Sequence, residues 1–426
     1  MIDLKYRGIS VKNLRSTIAG KVLNEGQFEA IELHDKIFPF KTNEYVINEL
    51  IDWNNYENDP IYNLVFPRKE LIDNSDYQLL RDAMSGDNNS TIKTLSDDIR
   101  TRLNPHPSDQ MLNVPSALEG IQHKYEQIIL FFPKQGQTCH AYCTFCFRWP
   151  QFTGEKKWKF ETAETNKVIS YLRQNPQITD ILFTGGDPMV MNVKSLKKYI
   201  QPILDANISS LKNIRIGTKS LSFWPYKYLI GEEGEEIVKL FSEITRRGLH
   251  LAFMAHFSHP RELQTDAVKQ AVTRIKETGA VIRTQTPLIK KVNDDSSILR
   301  DLWQEQVQLG LIPYYLFIAR DTGSKFFQAI NLYEASNIFR DAFRQLSGLA
   351  RTVRGPVMST SSGKVLINGS INMGSEKFFV LEYLQARNPE LVKRPFLARF
   401  NRDACWFDDL ELMPNDFADL NNCQRL

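Results

Sequence analysis

Three thiols lie within eight residues of one another, as Cys139, Cys143 and Cys146 in FFPKQGQTCHAYCTFCFRWPQF. Their spacing is C-x3-C-x2-C. Thiolates are soft donors suited to iron–sulfur clusters or zinc. Three on one short loop can hold three corners of a four-iron cube and leave the fourth iron without a protein ligand. Competing readings are chance burial, a structural zinc completed by His140 or a distant cysteine, and a redox pair made of Cys143 and Cys146. The redox pair leaves Cys139 unexplained. Further along stand Gly185-Gly186-Asp187-Pro188, His256, Gln285 and Lys364. Glycines admit close approach of a ligand to the backbone, although G-D-P also serves a plain turn. Alone, His256 reads as a hydrogen-bonded core histidine, Arg148 as a solvated charge or ion pair, and Lys364 as a loop lysine. A phosphate-binding P-loop is excluded at Lys364, because G-x4-G-K is absent and Val365 follows the lysine.

The elements that must position these residues are legible from about residue 127. Strand candidates are Gln127–Phe132, Asp180–Phe183, Asn213–Gly217, Leu249–Ala255, Val281–Thr286 and Pro313–Ala319, each a dense apolar run of strand length. Helical patterns separate them. In Glu235–Arg247, Ile237, Leu240, Phe241 and Ile244 fall on one face and Gly248 follows at the stop position. In Asp266–Thr278, Thr265 stands at the N-cap and Gly279 at the end. Repeated β-then-α units imply a parallel sheet wrapped by helices, either a partial (βα)6 TIM-like barrel or a doubly wound open sheet. In both, ligands bind where the strands end.

Residues 1–120 are polar and expected to be mainly helical, with a loop at Ser85–Ser90 and no reactive constellation. Residues 121–348 form the barrel. Residues 349–426 form a C-terminal extension, in which Gly355–Gly369 reads as a loop and a further strand or hairpin. The chain has 426 residues, 42% of them hydrophobic and 24% charged, which excludes wholesale disorder. Its 53 Lys plus Arg against 50 Asp plus Glu argue against a dedicated nucleic-acid binder. No run approaches the roughly 18 apolar residues of a membrane span, and MIDLKYRGIS lacks a signal-peptide core. A cytoplasmic protein is expected.

The cysteine spacing after a first strand, with Phe145 before the last cysteine, resembles the radical S-adenosylmethionine (SAM) superfamily. Within it, NIRIGTKS, AHFSHP, RTQTPLIKKVND and PYYLF resemble the lysine 2,3-aminomutase family over roughly residues 120–370. The resemblance implies a [4Fe-4S] cluster on the three cysteines and SAM at the open iron. It implies SAM contacts from Gly185, Gly186, Asp187, His256 and Gln285, and a substrate carboxylate held by Arg148. It also implies pyridoxal phosphate (PLP) joined to Lys364, and an electron donor such as flavodoxin or ferredoxin. The family's activity moves an amino group from the 2- to the 3-position of an amino acid. A radical SAM enzyme without PLP is the alternative, and a non-catalytic metal-binding protein a third. Homo-oligomerisation is compatible with either enzyme.

Three departures stand out. Lys124 and Lys219 occupy positions where the family binds the PLP phosphate with arginines. Of the two acids that receive a lysine substrate's distal amine, one aligns near Asp321, where a slip of one residue brings in Arg320. The other aligns with Val357–Ser362, which contains no acid. Free lysine is therefore a doubtful substrate. Cys405 and Cys423 do not rebuild the family's zinc cluster, so no zinc site is expected.

Overall fold

The structure, a computed structural model, describes residues 5–86, 89–104 and 118–414. Its core is an eleven-stranded sheet whose strands are hydrogen-bonded in chain order. They are β1 Ile121–Tyr125, β2 Ile128–Phe131, β3 Asp180–Phe183, β4 Asn213–Thr218, β5 His250–His256 and β6 Val281–Leu288. β7 Ile312–Ile318, β8 Arg354–Ser359, β9 Gly363–Met373, β10 Glu376–Ala386 and β11 Pro395–Arg399 complete the sheet. Each neighbouring pair from β2 to β8 is parallel. β1 is antiparallel to β2, and β8 to β11 are antiparallel to one another.

The sheet curls. Lys124 on β1 donates a 3.2 Å hydrogen bond to Ser359 at the end of β8, although six strands separate them in the sheet order. An open doubly wound sheet cannot make that contact. The architecture is thus the partial barrel, and the strands sit within a residue or two of their sequence-based limits. The expected hairpin after residue 355 is present as β8 and β9, and it extends the barrel's own sheet.

A dense apolar run suits a strand buried on both faces, but two of these strands are not so buried. β3 and β4 alternate. Ile181, Phe183, Ile214 and Ile216 are buried under the outer helices, whereas Leu182, Arg215 and Gly217 face a cavity inside the barrel. The helices follow their sequence signals. Gly231–Arg246 buries Ile237, Leu240, Phe241 and Ile244. Asp266–Glu277 is capped by Thr265, whose side chain accepts from the Val268 N–H. Gly248 and Gly279 end these helices with φ of 81° and 83°, a conformation that costs a glycine little.

The N-terminal region supplies helices at Glu25–Ile37, Asn74–Ser85 and Asn89–Leu103. Ser85 and Asn89–Ser90 are helical, and Asp87–Asn88 of the expected loop lie outside the described residues. No helix among the described residues is long and apolar enough to cross a membrane.

Candidate radical SAM site

β2 ends in a short turn, Lys134–Gly136, and the chain enters the cysteine loop at the top of the barrel. The N-terminal region clasps this loop. The N–H of Tyr142 donates to the Lys41 carbonyl and that of Thr144 to the Leu64 carbonyl, both at 2.8 Å. The Asn43 amide donates to the carbonyls of His140 (3.2 Å) and Phe223 (3.0 Å), and the Tyr6 hydroxyl to that of His140 (2.8 Å). Lys41 donates to the Thr138 hydroxyl at 3.2 Å and lies within Coulombic reach of Cys139. Apart from the Thr138 hydroxyl, these anchors meet backbone groups on the loop side, which any loop sequence would offer.

All three cysteines line the cavity and none is in a disulfide. Burial, opposed in part by Lys219, pushes the Cys143 thiol up to about 12. Burial and the neighbouring Cys146 push Cys139 well up too. On Cys146 the rise from burial is opposed by a hydrogen bond from the Arg148 backbone N–H. The thiols therefore keep their protons until a metal replaces them. Among the described residues, no three His, Cys, Asp or Glu side chains converge closely enough for a single metal ion. A cube makes no such demand, because each thiolate holds a different iron. His140 is buried with its carbonyl engaged, and burial lowers its imidazole to about 3, so it carries no charge there.

Beside the loop lies the end of β3. Gly186 has no room for a side chain, since a Cβ there would stand 2.4 Å from the Thr138 carbonyl oxygen. Gly185 has φ of 132°, and its Cβ would meet Gln137 at 2.2 Å. The Asp187 N–H donates to the carbonyls of Thr138 (2.7 Å) and Gly136 (3.1 Å). Its carboxylate accepts from Thr218 (2.7 Å), from the Met189 N–H (2.9 Å) and from the Lys219 N–H (2.9 Å). Asp187 is therefore a strut between two strand ends and the cysteine loop. The glycine backbone beside it faces the cavity.

His256 at the end of β5 and Gln285 within β6 are register partners, and both line the cavity. Burial, aided by Lys219 and Arg148, lowers His256 to about 4, so its ring is neutral at physiological pH. Lys219 is spent within the protein. Its ammonium pairs with Glu262, which is fully buried and also accepts from the Ser258 N–H at 2.6 Å and the His259 N–H at 2.9 Å. Lys219 thus sits beside Cys143 and His256, already neutralised.

The opposite wall carries Lys364, at the start of β9. Its amine donates to Gln385 Oε1 at 2.7 Å and lies 4.7 Å from the Tyr315 ring and 5.6 Å from the Tyr125 ring. Burial, helped by Lys124, Arg215 and Arg354, lowers it well below a lysine's usual range. Burial, together with Arg320, Arg148 and Arg387, brings Lys124 down to about 7. Arg148 packs 4.7 Å from the Phe132 ring and 5.0 Å from that of Phe147, with its Nη1 buried and unpartnered. Arg320 lines the cavity, while Asp321 does not. The cavity lining therefore does not support the expected contact of Asp321 with substrate; β7 ends at Ile318, and Asp321 lies beyond the residues that face the cavity. The remaining site residues named from sequence share one cavity of about 300 Å³.

The 4Fe-4S single cluster domain family matches residues 128–219, which contain the cysteine loop, the glycine segment and β4. A protein of Aquifex aeolicus (strain VF5), named "Putative L-lysine 2,3-aminomutase", is 31% identical over 373 residues, 87% of each chain. The chain belongs to the lysine 2,3-aminomutase family of radical SAM enzymes. The L-lysine 2,3-aminomutase of Haemophilus influenzae is 28% identical over 56% of this chain and 68% of its own. A solved structure, "Native anSMEcpe with bound AdoMet", is 13% identical with a TM-score of 0.39, covering 50% of this chain and 59% of that one.

As a radical SAM enzyme the protein uses a [4Fe-4S] cluster and SAM. The residues present fit both. The thiols supply three corners, and glycine backbone, His256 and Gln285 face the space beside them. Lys124, Arg215 and Arg354 are the basic groups within electrostatic reach of Lys364. Lys41, Asn43 and Gln385 escaped the sequence reading, whereas Arg320 entered it as the alternative to Asp321. Cys405 is half-buried, with its thiol 3.5 Å from the Asp403 carbonyl, and Cys423 lies outside the described residues.

Proposed function

We propose that this protein is an amino-acid 2,3-aminomutase that uses PLP on Lys364 beside its cluster and SAM. The observation that carries this reading is a buried, cation-crowded lysine amine facing the same cavity as the cysteine trio. Such an amine loses its proton more readily than an exposed lysine's, and the unprotonated form can attack an aldehyde. When bound, the cluster and SAM supply a carbon-centred radical able to take a substrate hydrogen, while PLP holds the migrating nitrogen.

The chain's own residues position and exclude. Gln385 and the Tyr315 ring aim the Lys364 amine. Lys124 and Ser359, 3.2 Å apart beside Lys364, offer an ammonium and a hydroxyl to a phosphate. Arg148, with a spare buried donor, suits a substrate carboxylate. Apolar walls from Ile128, Leu130, Leu182 and Phe317 keep water from the reacting carbons.

Anaerobically reconstituted protein should show a visible absorption band with PLP that Lys364→Ala abolishes. It should also form a β-amino acid only with reductant and SAM. A cluster that cleaves SAM without that band would support the PLP-free alternative. The engagement of Lys219 by Glu262 favours that alternative, since it removes one phosphate-binding candidate.

A further inference from the structure

A second cavity, of about 570 Å³, opens at the foot of the barrel, where the strands begin. Asp180, Asn213, His250 and Arg354 line it, and each is the first residue of its strand. The radical SAM site stands at the other end, where the strands finish. Arg215 and Met254 line both spaces and so form the floor between them. The lower space lies outside the site to which the aminomutase reading refers.

Arg215, Arg283 and Arg354 line this space, and Asp180 is the one carboxylate among its described lining residues. Three guanidinium charges against one carboxylate leave two positive charges in excess. Asp180 lies 3.7 Å from Arg215 and accepts from the Thr179 hydroxyl at 2.6 Å and the Asn213 amide at 2.9 Å. The guanidinium carbons of Arg283 and Arg354 lie 5.2 Å and 4.3 Å from the centroid of one ring, Tyr314, which gathers both on a common support. Arg215 and Arg354 also disfavour the charged form of Lys364 above the floor, so Asp180 does not quench the positive field. All three arginines are half-buried, where charge is screened less than on an open surface. Like charges collected in one walled space repel, and an oxyanion that accepts from them removes that cost.

We propose that the foot of the barrel is a phosphate-binding site, in which Arg215, Arg283 and Arg354 hold the dianion of inorganic phosphate or of a small phosphate monoester. A dianion matches the excess charge, and guanidinium forks match phosphate oxygens bidentately. The cavity is larger than a phosphate group and leaves room for an organic portion beside Tyr314 and Thr352.

The test is titration calorimetry of the full-length, cluster-reconstituted protein with inorganic phosphate and, separately, with glycerol 3-phosphate, in a phosphate-free buffer of physiological ionic strength. The expected result is a saturable phosphate site that Arg283→Gln and Arg354→Gln each weaken by about tenfold or more. Arg283→Lys should keep most of the binding, and Lys124→Met, in the upper cavity, should leave it unchanged. Tighter binding of glycerol 3-phosphate than of phosphate identifies a monoester as the ligand, and equal or weaker binding identifies free phosphate. Phosphate should also raise the melting temperature of the wild type but not of Arg283→Gln or Arg354→Gln, a shift that arginines serving stability alone would not give. Absence of binding in the folded wild type overturns the proposal. So does undiminished binding in both Arg283→Gln and Arg354→Gln, and so does binding lost in Lys124→Met, which would place the anion in the upper cavity.

Discussion

Gly186→Ala should disable cluster assembly without unfolding the barrel. The added Cβ would stand 2.4 Å from the Thr138 carbonyl oxygen and 2.5 Å from the Thr138 nitrogen. Ordinary contact begins near 3.4 Å. One of the two backbones must therefore retreat by about 1 Å, a displacement that elsewhere costs catalysis on the order of a hundredfold. The Gly186 segment is held by its neighbour Asp187, whose carboxylate accepts from Thr218 and from the Met189 and Lys219 N–H groups. The cysteine loop must move, and Thr138 immediately precedes Cys139. Overpacking of this kind costs roughly 1–3 kcal/mol, a few degrees at most in melting temperature for a chain of this size. The assay compares iron and sulfide per chain after anaerobic reconstitution, with thermal melts of the apoprotein as the folding check. Gly348→Ala, where a Cβ meets nothing within 4 Å, is the control. The expected result is a folded variant with cluster content and SAM affinity sharply reduced. Full iron content with unchanged SAM binding would refute the claim that the close fit between strand end and cysteine loop shapes the site.

Asp187→Ala should destabilise the apoprotein by about 3 kcal/mol or more, because it strands the buried Thr218 hydroxyl and Lys219 N–H, and denaturant melts would read the loss. Lys124 gives a pH signature. Its folded value near 7 lies below the unfolded lysine's, so between about 7 and 10 the unfolded chain binds the extra proton and stability rises with pH, by up to about 1.4 kcal/mol per unit. Lys124→Met should flatten that slope in denaturation curves of the apoprotein. Lys41→Met removes a cation near Cys139, and should lower the cluster's midpoint potential in redox titrations while leaving the iron content intact.

Much of the barrel was legible because its signals are local. A strand candidate such as Asp180–Phe183 is bounded by turn residues, and Thr265 and Gly279 bracket a helix by chemistry that needs no tertiary partner. The cysteine trio was legible because thiolate spacing is rare without a metal. What could not be read depends on contacts far apart in the chain. Asn43 reaches carbonyls 97 and 180 residues away, and nothing in its own neighbourhood marks it. The family resemblance implies a SAM contact for Asp187, yet its carboxylate accepts from Thr218 and from the Met189 and Lys219 N–H groups. Arg320 and Asp321 are adjacent just beyond a strand, where alternation ends. Periodicity cannot say which of the two faces inward there. Lys219 looked like a phosphate ligand until Glu262, 43 residues on, proved to hold it.

The most direct test of the site is electron–nuclear double resonance on reduced, anaerobically reconstituted protein with isotopically labelled SAM. Cys139, Cys143 and Cys146 leave one iron without a side chain, so the amino nitrogen and carboxylate of SAM should couple to a single unique iron. Substitution of any one cysteine by alanine should abolish the signal. A cluster with all four irons bound by side chains, or a mononuclear metal in place of the cube, would contradict it.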